Sequence, residues 1–146
     1  MPKKYSMTQL LLMVKEEAQR QTIDRITSAQ NVYTLLHEYS TKEKEHFLLI
    51  TLDGASQVIA KRVIHIGTLN QSLVHPREIF KPAITDGAAG IIISHNHPSG
   101  TLEASRADIQ ITQRLKEVAK LVGIELLDHV IISSNGYYSF SEDGLL

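Results

Sequence analysis

Residues 90 to 108 read GIIISHNHPSGTLEASRAD, and the order of features along this stretch decides the fold. Gly90 to Ser94 is a short apolar run, the pattern of a central strand buried on both faces. Pro98 and Gly100 then break the strand and turn the chain. From Ser105 to about Val122 the periodicity predicts a helix. Ile111, Leu115, Val118 and Val122 form its apolar stripe, and Gly123 stands where a glycine commonly ends a helix. Strand, loop and helix in this order put residues 95 to 104 at the C-terminal end of a strand. Open α/β sheets place their sites there.

Downstream, Glu125 to Ser133 reads as a further strand. Asn135-Gly136 signals a tight hairpin, and Tyr137 to Phe140 is its returning arm. Upstream, His46 to Asp53 reads as a strand, Asp53-Gly54 as a turn and Gln57 to Ile66 as the partner strand. His75-Pro76-Arg77-Glu78 opens a helix, since proline suits the first turn, and Gly87 ends it. Near the start, Thr8 to Gln21 reads as a helix with Leu11, Val14 and Ala18 on one stripe. Ser28 is placed to cap a second helix running through Glu38, with Val32, Leu35, Leu36 and Tyr39 on its buried side. The order αα–ββ–α–β–α–ββ implies one mixed sheet with helices packed on it, an α/β or α+β three-layer domain. Residues 1–40 read as an N-terminal helical extension and 41–146 as the domain proper.

Composition narrows the function classes. A chain of 146 residues suits one domain, and 42% hydrophobic residues suit one buried core. The formal net charge is −1, so no wide basic footprint for nucleic acid is present. Lys3, Lys4, Lys42, Lys44, Lys61 and Arg62 are the candidates for a local patch, and read first as solvated surface charges. Cysteine is absent, which excludes disulfides, thiolate metal sites and a cysteine nucleophile. The run Leu10 to Val14 after a basic start is too short for a signal peptide and ends in Lys15, Glu16 and Glu17. No run is long enough to span a bilayer. The expectation is a soluble cytoplasmic protein without a membrane partner.

The chemistry is concentrated between His95 and Asp108. In extended backbone, side chains at i and i+2 point to the same side, so His95 and His97 can reach one metal ion from a rigid base. Asp108, in the first turn of the following helix, can turn its carboxylate to the same point. Two nitrogens and one oxygen leave a fourth tetrahedral position for water, the mark of a catalytic zinc site. Zinc in such a site lowers the pKa of water to about 7. Each part alone has a plainer reading. H-x-H arises by chance, and Ser105 with Asp108 is also the Ser-x-x-acid box that starts helices. The combination is what points to a metal.

The pattern His-x-His, seven residues, Ser, two residues, Asp is the JAMM motif of the JAB/MPN metalloprotease superfamily. More narrowly, HPREIFKPA, SHNHPSG, SRADIQIT and GIELLDHVII resemble the RadC family, over about Ile26 to Leu146. The resemblance implies a three-layer JAB/MPN domain related to the cytidine-deaminase fold. It implies one zinc ion held by His95, His97 and Asp108, and a Ser105 that stabilises a developing oxyanion. It also implies a general-base glutamate on or just before an early strand, and the matching position is Glu45 in KEHFLLITLD. Glu78 and Glu103 are the competitors for that role. His129, in LLDHVII, matches a RadC feature and is a candidate partner behind a ligand, with a half-buried strand histidine as the plainer reading. His75 reads as a loop or capping residue, His46 and His65 as hairpin-strand residues, and Ser99 as a possible substrate contact.

The resemblance implies a zinc-dependent hydrolase acting on amide, peptide or isopeptide bonds, with a peptide or protein substrate. The alternative is a DNA-repair-associated accessory protein whose role is nucleic-acid or partner binding. Complete RadC-like proteins carry an N-terminal helix–hairpin–helix region. The residues before His46 show no G-x-G hairpin between two helices, so a shortened or mobile-element RadC-like protein fits better. A nucleobase deaminase needs H-x-E with P-C-x-x-C, and a chain without cysteine cannot supply it.

Overall fold

The computed structural model describes residues 4–22, 24–68 and 74–146, side chains 16–22 excepted. The elements are α1 (Met7–Thr22), α2 (Ala29–Leu35) with a short 3-10 turn after it (His37–Tyr39), β1 (His46–Leu52) and β2 (Val58–Ile66). They continue with α3 (Pro76–Thr85), β3 (Gly90–Asn96), α4 (Arg106–Val122), β4 (Glu125–Ser133) and β5 (Gly136–Ser139). Among the described residues the strands form one sheet in the order β2-β1-β3-β4-β5. β3 pairs antiparallel with β1 and parallel with β4, so α4 is the crossover between two parallel neighbours.

β3 is central because its sequence has no solvent side: every residue from Gly90 to Asn96 is buried. Strand alternation then sorts the core onto two faces. One cluster contains Phe47, Leu49, Ile91, Ile93 and Leu126 from the sheet, covered by Ile79, Phe80 and Ala83 of α3 and Ile111, Leu115 and Ala119 of α4. The other contains Leu48, Ile50, Leu52, Ile92, Val130 and Ile132, covered by Ile26, Ala29, Val32, Leu35 and Leu36 in and around α2. The result is the mixed three-layer α/β arrangement expected, with the apolar stripe of α4 turned to the sheet.

Element ends differ from expectation in ways that matter for the site. β3 runs two residues past Ser94, through His95 and Asn96, because Asn96 stays in the ladder opposite Ile132. α2 stops at Leu35 rather than Glu38, and Tyr39 is half-buried in the 3-10 turn. Ser28 occupies the cap position of α2 in extended backbone, yet its side chain makes no capping bond. Thr27 instead binds Asn31 through its amide and hydroxyl. The stripe expected on α1 is not buried: Leu11 is 57% and Val14 65% exposed. Neither core cluster of the sheet includes a described residue of α1. Ala18 lies outside the described side chains. Lys61 pairs with Glu38 at 3.1 Å and Arg62 with Asp86, so two members of the candidate basic patch face carboxylates. No helix among the described residues is long and apolar enough to cross a membrane.

Candidate metal centre

The extension of β3 carries His95 into the interior at 1% exposure, just beyond the layer of Ile93 and Phe47. His97 follows at 8% exposure, held in line by its amide bond to the Ile132 carbonyl at 2.9 Å. The chain then turns sharply: the Gly100 amide bonds back to the His97 carbonyl at 3.0 Å, with Gly100 at φ +85°, where a side chain would be strained. The loop returns to α4, whose cap is a complete capping box. The Ser105 hydroxyl accepts from the Asp108 amide at 3.0 Å, and the Asp108 carboxylate accepts from the Ser105 amide at 2.8 Å. The cap and the site are therefore one structure, because the box fixes the carboxylate that faces the histidines.

The three side chains converge. His95 Nε2 and His97 Nε2 are 2.9 Å apart. Asp108 Oδ1 lies 3.1 Å from His95 Nε2, and Asp108 Oδ2 lies 3.3 Å from His97 Nε2. Among the described residues, this trio is the group of three metal-ligating side chains close enough to share an ion, and all three are buried. The chemistry of the set fits a divalent cation. The outer nitrogen of His97, Nδ1, faces the Thr101 carbonyl at 3.0 Å and must donate to it. That leaves Nε2 as a lone pair aimed inward. Two imidazole nitrogens and a carboxylate at these separations require positive charge among them, supplied by protons or by a metal.

The electrostatics show how strongly the trio is coupled. Burial alone would raise the Asp108 carboxyl, but hydrogen bonds from His95 and His97, and the charge of His95, hold it far below the usual range. Burial likewise lowers His97, but Asp108 and the Thr101 carbonyl outweigh it and the net direction is up. The charge of Glu45 adds to that rise, which locates Glu45 near His97. Register explains the proximity. Phe47 pairs with His95 across β1 and β3. Counting that antiparallel register on by two residues brings Glu45 level with His97. Glu45 is half-buried and borders a cleft of about 540 Å³ with Ile66, Gly67, Pro98 and Ser99. A larger cavity, about 650 Å³ and lined by Lys116, Lys120, Ile124 and Leu146, lies at the other end of α4 and holds none of the trio.

The remaining candidates fall into place around this centre. Ser105 is exposed at the start of α4. His129 is fully buried, stacked on Phe140 with ring centroids 4.5 Å apart, and its Nε2 lies 2.8 Å from His95 Nδ1. It stands directly behind a candidate ligand and is not a half-buried strand residue. Glu78 and Glu103 are exposed on α3 and in the loop. His75 sits at the cap position of α3 without a capping bond. His46 bonds the Lys44 carbonyl at 2.9 Å, and His65 leaves Nε2 without a hydrogen bond among the described residues. None of these five joins the trio.

Two residues in this neighbourhood carry no signal readable from sequence. Asn96, between the two histidines, is fully buried on the opposite face of β3. Its Oδ1 accepts from the His46 amide at 2.6 Å and its Nδ2 donates to the Lys44 carbonyl at 3.0 Å. It grips the backbone on both sides of Glu45. Thr112 is buried on α4 with its hydroxyl 2.5 Å from His129 Nδ1. Extra polarity inside H-x-H, and a threonine on an apolar stripe, were the only hints.

The family model described as a RadC-like JAB domain matches residues 26–145. A UPF0758 protein of Trichlorobacter lovleyi is 46% identical over 127 residues, covering 86% of this chain and 55% of that protein. UPF0758 proteins of Methanosarcina mazei and Rubrobacter xylanophilus are each 43% identical, over 84% and 94% of this chain and 54% and 63% of their own lengths. The chain thus spans little more than half of most of the relatives it matches.

Proposed function

The chain belongs to the RadC-like JAB domain family, within the JAMM superfamily of hydrolase type, and on that premise we propose that it is a zinc-dependent hydrolase of amide, peptide or isopeptide bonds. The observation that carries the reading is the buried convergence of His95 Nε2, His97 Nε2 and the Asp108 carboxylate beside Glu45. His95, His97 and Asp108 would hold the ion through two nitrogens and one oxygen, a ligand set of the kind that leaves a coordination position open. When bound, zinc supplies Lewis acidity toward a carbonyl oxygen and toward water.

The chain's own groups supply the remaining steps. Glu45 stands at the cleft beside His97, where a carboxylate can take a proton from the attacking water and return it to the leaving amine. Asn96 keeps that carboxylate at fixed height by holding the backbone at Lys44 and His46. The Ser105 hydroxyl uses a lone pair on the Asp108 amide, which leaves its O–H to donate to a developing oxyanion. A peptide or protein segment lying in the cleft along Ile66, Gly67, Pro98 and Ser99 is the substrate this geometry suits.

Metal analysis of the purified protein tests the reading. About one zinc per chain is expected. His95→Ala and Asp108→Ala are expected to lose it while keeping the fold by circular dichroism. Zinc retained in both variants would overturn the ligand assignment. A screen of peptide and isopeptide substrates, with chelation and zinc add-back, tests the activity. No cleavage by the zinc-loaded protein of any peptide or isopeptide in the screen counts against hydrolysis of these bonds.

A further inference from the structure

We propose that Thr112 is a positioning residue that fixes, through His129, the tautomer in which His95 can hold the metal. The proposal rests on the metal reading above and concerns the chain's own protons.

The direction of each hydrogen bond follows from counting protons. The Thr112 hydroxyl has one proton, and it donates that proton to the Asp108 carbonyl one turn earlier on α4, at 2.8 Å. Toward His129 Nδ1, at 2.5 Å, the same oxygen can only accept. His129 must therefore carry its proton on Nδ1. It is fully buried and packed between Phe47 and Phe140, surroundings that desolvate an imidazolium and favour the neutral ring. A neutral His129 protonated on Nδ1 has a bare lone pair at Nε2. That lone pair lies 2.8 Å from His95 Nδ1, so His95 must donate there. With its proton on Nδ1, His95 keeps Nε2, the nitrogen that faces His97 and Asp108, for the metal.

One hydroxyl on α4 thus sets the protonation pattern of two imidazoles. The two ligand histidines are locked by different devices. His97 is fixed by a carbonyl four residues away, at Thr101. His95 has no carbonyl at its outer nitrogen and depends on the His129–Thr112 chain, which ties β3, β4 and α4 together. Partners behind metal-bound histidines commonly act in this way, by fixing tautomer and ring orientation. The Thr112 bond to the Asp108 carbonyl also links the relay to the third ligand. Valine at 112 keeps the shape and removes both roles of the hydroxyl. His129 then loses its Nδ1 acceptor, and its alternative tautomer sets donor against donor at His95 Nδ1.

The experiment compares wild type, Thr112→Val and Thr112→Ser. Zn²⁺ affinity is read by competition with a chromophoric chelator, and imidazole tautomers are read by ¹⁵N NMR on the metal-free protein above neutral pH. The expected result is a 10- to 100-fold weaker Zn²⁺ affinity in Thr112→Val, the range found for partners of this kind. Thr112→Ser, which keeps the hydroxyl, returns it close to wild type. In wild type His129 is expected as the Nδ1–H tautomer. Equal Zn²⁺ affinity in Thr112→Val and wild type would overturn the proposal. So would an Nε2–H tautomer of His129 in wild type, a measurement that stands even if Thr112→Val does not fold. Failure of wild type itself to bind Zn²⁺ overturns the metal reading instead, and the tautomers alone then decide the relay.

Discussion

Asp108 and Asp128 are both carboxylates that the fold has buried, to 2% and 8% exposure, yet it drives them in opposite directions. Both bear a burial penalty. Around Asp108 it is outweighed by His95 and His97, whose rings approach at 3.1 and 3.3 Å, and the carboxyl falls far below its usual range. Around Asp128 the partners are neutral: the Ser139 hydroxyl at 2.6 Å, the Ser141 amide at 3.0 Å and the His129 amide at 2.8 Å. They reduce the penalty without cancelling it, and the carboxyl is raised. Asp128 and His129 are adjacent on β4, so alternation turns them to opposite faces. His129 joins the candidate metal centre. Asp128 ties β4 to the turn after β5, beside Ile26 and Val32. Burial of charge therefore does not by itself mark a functional site. The charge of the partners makes the distinction.

The strongest way to break that comparison is to remove each carboxylate in turn. Asp108→Ala takes one of the three proposed ligands from the centre. The expected loss in Zn²⁺ affinity is larger than the roughly 10- to 100-fold typical of groups behind ligands. Asp128→Asn is expected to keep zinc at the wild-type level. Chelator competition on the two variants checks both. Equal zinc loss would mean that the two carboxylates serve one site and that the contrast drawn from their partners is wrong.

Asn96 sharpens the same contrast, because it shares a strand with the histidines but faces away from them. Asn96→Ala removes the side-chain bonds to the backbone of Lys44 and His46, on either side of Glu45. A shift of about 1 Å at a reacting group can cost about 100-fold in rate. The expectation is a fall in kcat of tenfold or more toward whatever amide substrate the screen yields, with zinc content unchanged. Full kcat in this variant would show that Glu45 is positioned by other contacts.

Much of this is legible in the amino-acid sequence alone. The run Gly90 to Ser94, the breaking loop and the stripe of α4 fixed the central strand and its helix, and Gly123, at φ +82°, ends that helix as its position predicts. His95, His97 and Asp108 were legible because strand spacing and helix start are local properties. Glu45 had no local signal. It looks like one charge in the run Lys42 to Glu45, and only the pairing of Phe47 with His95 brings it to His97. Thr112 and Asn96 were hidden for the same reason, since their roles consist of contacts to distant segments. The stripe on α1 failed in the other direction: Leu11 and Val14 have helical spacing, but both core clusters are built without a described residue of α1.

A smaller effect is expected on stability. In Asp128→Asn the new amide group meets the Ser139 hydroxyl and the Ser141 and His129 amides, which are placed to donate to a carboxylate. Leaving a buried donor unsatisfied costs about 1–3 kcal/mol. Urea unfolding should show that loss, with circular dichroism and zinc content as controls. An unchanged midpoint would show that Asp128 contributes nothing to holding β4 and the turn after β5 together.

The finest test uses pH, because the two carboxylates carry opposite linkage in the metal-free protein. The depressed pKa of Asp108 means that its stabilisation is complete above the unfolded value of about 3.9 and is lost as pH falls through the folded value. The raised pKa of Asp128 means that the folded state holds its proton longer than the unfolded chain does. Its cost is absent below about 3.9 and sets in as pH rises from there through the folded value. Each group can contribute at most about 1.4 kcal/mol per pH unit. The stability of wild type relative to Asp108→Asn should therefore rise with pH below that value and then level. Relative to Asp128→Asn, it should fall with pH just above it. Urea midpoints in chelator across the acid range measure both slopes. Slopes of the same sign would mean that the imidazoles do not distinguish the two carboxylates, and the electrostatic basis of the comparison would be lost.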